Sequence, residues 1–184
     1  MPGGIEVLAG AGILVAAWAV FAGTRAVLRL RGARIVTCPE TEQPVAVDVD
    51  VRYAVAGALV GRPELRLRDC SRWPERAHCG QECLGEIAAA PDDCLVRNIV
   101  ARWYGDKTCV YCRRPIGVVQ WHDRKPALRG RDGKVLELGE LPVEGIPEAL
   151  REDAAVCANC ADAELLRQRH PELVVERPPR PHAS

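Results

Sequence analysis

The 184-residue sequence predicts an α+β protein in which one apolar N-terminal helix precedes small mixed modules. Three observations predict it. Residues 7 to 24 carry no charge, the remainder mixes alternating stretches with amphipathic ones, and cysteines recur in close pairs.

The apolar run Val7 to Thr24 includes Ile13, Leu14, Val15, Trp18, Val20 and Phe21. A helix needs ~20 such residues to cross the hydrocarbon layer, and Ile5 and the aliphatic stem of Arg25 bring the run to that length. A cleaved signal peptide begins with positive charge. Here the chain begins Met1-Pro2-Gly3-Gly4-Ile5-Glu6, and Arg25, Arg29, Arg31 and Arg34 follow the run instead. The expectation is a single transmembrane helix with a basic juxtamembrane segment over 1–34. It would lie in the cytoplasmic membrane with the N-terminus outside and the rest of the chain in the cytoplasm. The four arginines are expected to meet anionic headgroups of the lipid bilayer. Small residues at Gly12 and Ala16, and at Ala19 and Gly23, have the spacing that lets two such helices approach, which offers a homodimer through this segment.

Lys plus Arg and Asp plus Glu number 25 each, so no basic excess points to nucleic acid. In a reducing cytoplasm the nine cysteines read as metal ligands rather than disulfides. The only Phe lies in the apolar run and the only Met is the first residue, so large apolar side chains are scarce afterwards. Such a soluble part is expected to use metal to support its cores.

Over 35–105 the pattern predicts a cysteine-containing α+β module. Ile35 to Thr37 and Val45 to Val51 read as a strand pair, joined by the turn-rich Cys38 to Pro44 segment. Leu65 to Arg68 reads as a third strand. Helices are expected from Gln81 to Ala90 and from Cys94 to Tyr104, the second with an apolar stripe of Leu95, Val96, Ile99, Val100 and Trp103 and a stop at Gly105.

Over 106–171 the most specific motif appears. Cys109-Val110-Tyr111-Cys112 and Cys157-Ala158-Asn159-Cys160 supply four thiolates, and a two-residue spacing lets one turn aim both sulfurs at one point. Between the pairs, Val118 to His122 and Val135 to Leu138 read as a hairpin around the Asp132-Gly133 turn signal. Short and long helices are expected from Pro147 to Glu152 and from Asn159 to Gln168. Residues 172–184 read as a disordered tail, with a weak proline-rich ligand pattern.

A Cys-x-x-Cys turn, a hairpin and a Cys-x-x-Cys at a helix start together resemble a treble clef, a zinc-ribbon-like arrangement, over roughly Lys107 to His170. The resemblance implies a closed zinc site at Cys109, Cys112, Cys157 and Cys160, with zinc in a structural role. It implies little about activity.

A second candidate site gathers Cys70, Cys79 and Cys83 with a fourth ligand from Cys38, Cys94, His78 or Glu40; Cys38 is preferred because its inter-strand turn resembles half a knuckle. The competing reading makes these small core residues. Cys94 reads as a partly buried structural residue ahead of a reactive thiol. His122 beside Trp121 reads as a structural histidine, since no Ser, Asp or Glu partner sits at an interpretable spacing.

The expected function is a membrane-anchored cytoplasmic protein with structural zinc, one ion or two, that binds a membrane or cytoplasmic protein partner. The first alternative is redox or electron transfer through an iron-sulfur or iron-thiolate centre. The second is a zinc enzyme with an open coordination position at the N-terminal cysteines.

Overall fold

The computed structural model describes residues 3–59, 61–62, 64–73, 75–76, 78–119 and 126–174. The chain divides into two compact units, Met1–Ile99 and Val100–Ser184. Trp121 and His122, and the last ten residues of the expected tail, lie outside the described residues.

The first unit opens with α1 (Gly3–Leu30). Its stretch Gly12–Leu30 is long and apolar enough to cross a membrane, by length and composition, and none of it is buried. Ile13, Leu14, Trp18 and Phe21 are exposed, so α1 is not the core helix of this unit. Strands β1 (Arg34–Cys38) and β2 (Gln43–Val49) pair antiparallel, as their alternation predicts, and β3 (Leu67–Cys70) adds to β2. Burial alternates along β2, with Val45, Val47 and Val49 turned inward.

The predicted second strand overshoots. It ends at Val49, and Asp50 becomes the cap of an unpredicted helix α2 (Val51–Leu59), its Oδ1 accepting from the Tyr53 N–H at 3.0 Å. The alternating Val and Asp residues extend the strand pattern into a capping aspartate, and the cap wins because Val51 to Leu59 is rich in helix-compatible residues. The turn out of α2 requires Gly57. A Cβ there would stand 2.4 Å from the Arg62 carbonyl oxygen, while the Arg62 N–H donates to the Gly57 carbonyl at 2.8 Å.

Gly23 also has a neighbour within its own chain. Its Cβ position lies 3.8 Å from Val55 of α2, so this end of α1 packs against α2. Two further helices, α3 (Leu84–Ala89) and α4 (Val96–Gly105), follow β3, and the boundary between the units falls inside α4. The core of the first unit joins Val36, Val45, Val47, Val49, Leu67 and Ile87 to the thiols of Cys70 and Cys94.

In the second unit β4 (Ala127–Arg129) is central, with β5 (Val135–Glu137) and β6 (Ala154–Val156) antiparallel on either side. The Asp132-Gly133 turn is where the sequence places it, with Gly133 at φ +83°. The strand that pairs with β5 is β4; of the expected Val118 to His122 strand only Val118 and Val119 are described, and Val118, after Gly117 at φ +70°, is 89% exposed, whereas Leu128 at the sheet centre is fully buried. Helices α5 (Ile146–Glu152) and α6 (Ala158–Arg169) agree with the expected spans to within a residue. The core here is small: Val135, Val156 and Leu165 pack with Ala127, Ala161 and Cys109.

Candidate metal centre

The turn carrying the first Cys-x-x-Cys pair is closed by its own backbone. Thr108 bridges to Pro115, the Cys109 N–H donates to the Arg114 carbonyl at 2.9 Å, and the Arg113 N–H returns to the Cys109 carbonyl at 3.0 Å. Arg113 takes a left-handed conformation, φ +61°, that glycine would adopt more cheaply. The Val110 N–H donates to the Ala155 carbonyl at 3.0 Å, which fixes this turn against β6. Two residues on, Cys157 forms the extended N-cap of α6, and Cys160 lies in its first turn.

All four sulfurs consequently lie within 4.8 Å of one another. Zinc bonded to sulfur at about 2.3 Å in a tetrahedron sets its ligands about 3.8 Å apart. The Cys112 and Cys157 sulfurs stand 3.7 Å apart, already at that edge length. The donor set therefore fits a thiophilic divalent ion, which Cys109, Cys112, Cys157 and Cys160 could hold between them.

The thiols are not equivalent. Burial raises Cys109, but the N–H groups of Cys157, Cys112 and Tyr111 directed at its sulfur outweigh burial and hold it down at about 6. Cys160 is pushed up to about 12, by burial first and then by the sulfurs of Cys157, Cys109 and Cys112. Four thiolates this close repel one another, so the cluster needs a cation to ionise completely. Arg129 stands 5.6 Å over the ring of Tyr111, a further positive group beside the cluster.

The N-terminal cysteines gather differently. Cys38, Cys70, Cys79 and Cys83 line one cavity of about 30 Å³ in the first unit. Burial, followed by the neighbouring Cys70, Cys79 and Cys38, pushes the Cys83 thiol up to about 11. Among the described residues, only Cys109, Cys112, Cys157 and Cys160 bring three or more ligand atoms within 4.8 Å of one another; Cys38, Cys70, Cys79 and Cys83 share a cavity wall without converging into such a cluster. Of the alternative fourth ligands, His78 is exposed, and Glu40 is engaged by Arg72 at 3.5 Å and Arg76 at 3.7 Å.

Cys94 stands apart from both groups. It is 5% exposed, its sulfur donates to the Ala90 and Pro91 carbonyls at 3.6 and 3.5 Å, and burial raises its thiol. These contacts describe a structural residue.

The juxtamembrane arginines require a correction. Arg34 is fully buried and does not face lipid headgroups. Its Nη1 donates to the carbonyls of Leu30 at 2.6 Å and Gly32 at 3.1 Å, and its Nη2 donates to that of Arg29 at 2.6 Å. With Arg97 on the Leu28 carbonyl at 3.3 Å and the Arg31 N–H on Val27 at 2.9 Å, the last four carbonyls of α1 are satisfied. Desolvation lowers the pKa of Arg34, opposed by the nearby Cys94 thiol.

Against known proteins, the chain matches no family model, no curated protein and no solved structure. The functional reading accordingly rests on the geometry of the thiol cluster.

Proposed function

We propose that the protein is a membrane-anchored, cytoplasmic zinc-binding protein whose zinc is structural and whose role is to bind a protein partner at the membrane. The observation that carries this reading is the convergence of Cys109, Cys112, Cys157 and Cys160 inside a core with few large apolar side chains. Zinc there would act as a cross-link between the Cys109 turn and the start of α6, joining two segments far apart in sequence. The order of turn, hairpin and cysteine-bearing helix supports a treble-clef-like module.

A closed shell of four thiolates leaves no coordination position for a substrate, which favours binding over catalysis. The exposed apolar surface of α1 supports the anchor, and the basic residues that follow it support a cytoplasmic soluble part. A partner-binding role suits a metal module of this size, since such modules expose side chains around a rigid cross-linked core.

Elemental analysis of the full-length chain in detergent tests the metal. Zinc is expected at one equivalent or more, with one equivalent lost in the Cys109→Ser, Cys157→Ser double variant. A coloured protein containing iron would replace this reading with the redox one. Labelling intact cells with a membrane-impermeant thiol reagent tests the orientation; prompt labelling of the soluble cysteines would overturn it.

A further inference from the structure

The turn after Cys38 repeats the turn after Cys109. Thr37-Cys38 is followed six residues after the cysteine by Pro44, and Thr108-Cys109 six residues after the cysteine by Pro115. Thr37 pairs with Pro44 across the first hairpin, as Thr108 does with Pro115. Four residues beyond each cysteine stands a left-handed residue, Glu42 at φ +55° and Arg113 at φ +61°. Each returns its N–H to the cysteine carbonyl, at 2.7 Å for Glu42 and 3.0 Å for Arg113. The sulfurs are held alike as well. The N–H groups two and three residues on lie beside each sulfur: Tyr111 and Cys112 at Cys109, and Glu40 and Thr41 at Cys38.

A turn of this form aims a sulfur, and strains a non-glycine residue to do so. In the second unit the position three residues on is Cys112; in the first it is Thr41. A donor set in the first unit must therefore be completed from elsewhere, and three cysteines line the same cavity. Cys70 ends β3, with the N–H of Arg72 beside its sulfur. The segment bearing Cys79 and Cys83 is tied to the sheet on both sides: Gln81 Oε1 accepts from the Leu67 N–H at 2.9 Å, and Glu86 Oε2 accepts from the Thr37 N–H at 2.9 Å.

We propose that Cys38, Cys70, Cys79 and Cys83 form a second metal centre, which binds a thiophilic divalent cation of the zinc class within the first unit.

Two features of the cavity wall fit this ion and not a purely apolar core. The Trp73 indole N–H is buried without a hydrogen-bond acceptor, in a residue that lines the cavity. A metal-bound thiolate is a far better acceptor than a thiol, and its formation would bring such an acceptor into the cavity that Trp73 lines. Arg72 Nη1 stands 3.2 Å from the Cys38 sulfur, placing a guanidinium where the negative charge left over from four thiolates and one dication would lie. At about 30 Å³ the cavity has room for one small ion and no organic cofactor. On binding, four thiol protons leave as the sulfurs become ligands, with no change in oxidation state.

Cobalt titration of the metal-free, full-length chain in detergent tests the second centre independently of the first, because tetrahedral cobalt thiolate absorbs visible light and each site can be removed separately. Two equivalents are expected for the unaltered chain. One should remain in the Cys38→Ser, Cys83→Ser variant and one in the Cys109→Ser, Cys157→Ser variant. Saturation of the unaltered chain at one equivalent, with the Cys38→Ser, Cys83→Ser variant unchanged, would overturn the second centre and leave the first intact. Loss of the single equivalent in that same variant would instead place the ion at Cys38 to Cys83 and overturn the reading of the first. Should the cysteine variants not fold, the unaltered chain decides: two equivalents support the second centre, and one equivalent with Cys38, Cys70, Cys79 and Cys83 still open to alkylation in the metal-loaded chain overturns it.

Discussion

The Arg34 guanidinium donates to the Leu30 carbonyl oxygen at 2.6 Å, so the last turn of the long apolar helix is capped by a side chain from the first strand of the sheet. A cation at a helix C-terminus is stabilised by the helix dipole, and here it also satisfies carbonyls left without an intrahelical donor. The hydrogen bond links the end of α1 to the strand that carries Cys38.

Arg34→Leu is expected to destabilise the first unit by about 3 kcal/mol, because three carbonyls lose a charged donor at once. Thermal unfolding of the full chain in detergent should show the midpoint of that unit lowered by more than about 10 °C. A midpoint within a degree or two of the unaltered chain would mean that water replaces the guanidinium.

Metal removal should unfold the second unit. Model zinc-finger sites contribute about 10 to 16 kcal/mol on binding, more than so small a core supplies. After strong chelation, protease cleavage is expected to appear between Cys109 and Cys160 and to be prevented by zinc. The pH dependence has a definite sign: the Cys157 and Cys160 thiols are raised, so their protons must be displaced by the metal. Affinity should therefore fall as pH falls, with protons released on binding. Zinc titrations at several pH values that gave one constant affinity would contradict the thiolate shell.

Cys94 should be the slow thiol. Its sulfur is buried and its pKa raised, both of which suppress alkylation. Peptide mass spectrometry after iodoacetamide treatment of the native, metal-loaded chain should find Cys94 unmodified, and modified once the chain is denatured. Stoichiometric modification in the native state would restore it as a reactive residue.

Alkaline pH should weaken the second unit through Tyr104. Its hydroxyl donates to the Ala127 carbonyl at 2.6 Å, and burial raises the phenol well above its ordinary value. The folded state disfavours the phenolate, so this contribution is intact below the unfolded pKa of about 10 and is lost as pH rises beyond it. Tyr104→Phe should remove that part of the pH dependence and cost about 1 to 3 kcal/mol at neutral pH, since the Ala127 carbonyl is left without its donor. Chemical denaturation across the alkaline range would reveal both effects.

Much of the local structure was legible because local rules govern it. The valines of β2 alternate with the pleat, Pro147 lies in the first turn of α5, and α6 begins directly after Cys157. Helix α2 was missed because Asp48 and Asp50 extend the strand alternation through a residue that instead caps a helix. Strand β4 was missed for the opposite reason. Ala127 to Arg129 is too short to display a period, and only pairing with β5 and β6 makes it a strand. The repeated Thr-Cys turn with proline six residues after the cysteine was present in the sequence. Its significance depends on the left-handed conformations of Glu42 and Arg113, at positions where neither residue advertises one.

By itself the sequence determined the length and apolar character of the first helix and the pairing of Cys109 with Cys112 and of Cys157 with Cys160, because each is a matter of spacing along a few residues. Tertiary structure alone decided that these two pairs share one cluster and that Cys38 meets Cys70, Cys79 and Cys83 around one cavity. It also decided that Arg34 points into the protein instead of toward a membrane surface. Those outcomes depend on strand register and long-range packing, which bring together residues whose separation in sequence carries no periodic signal.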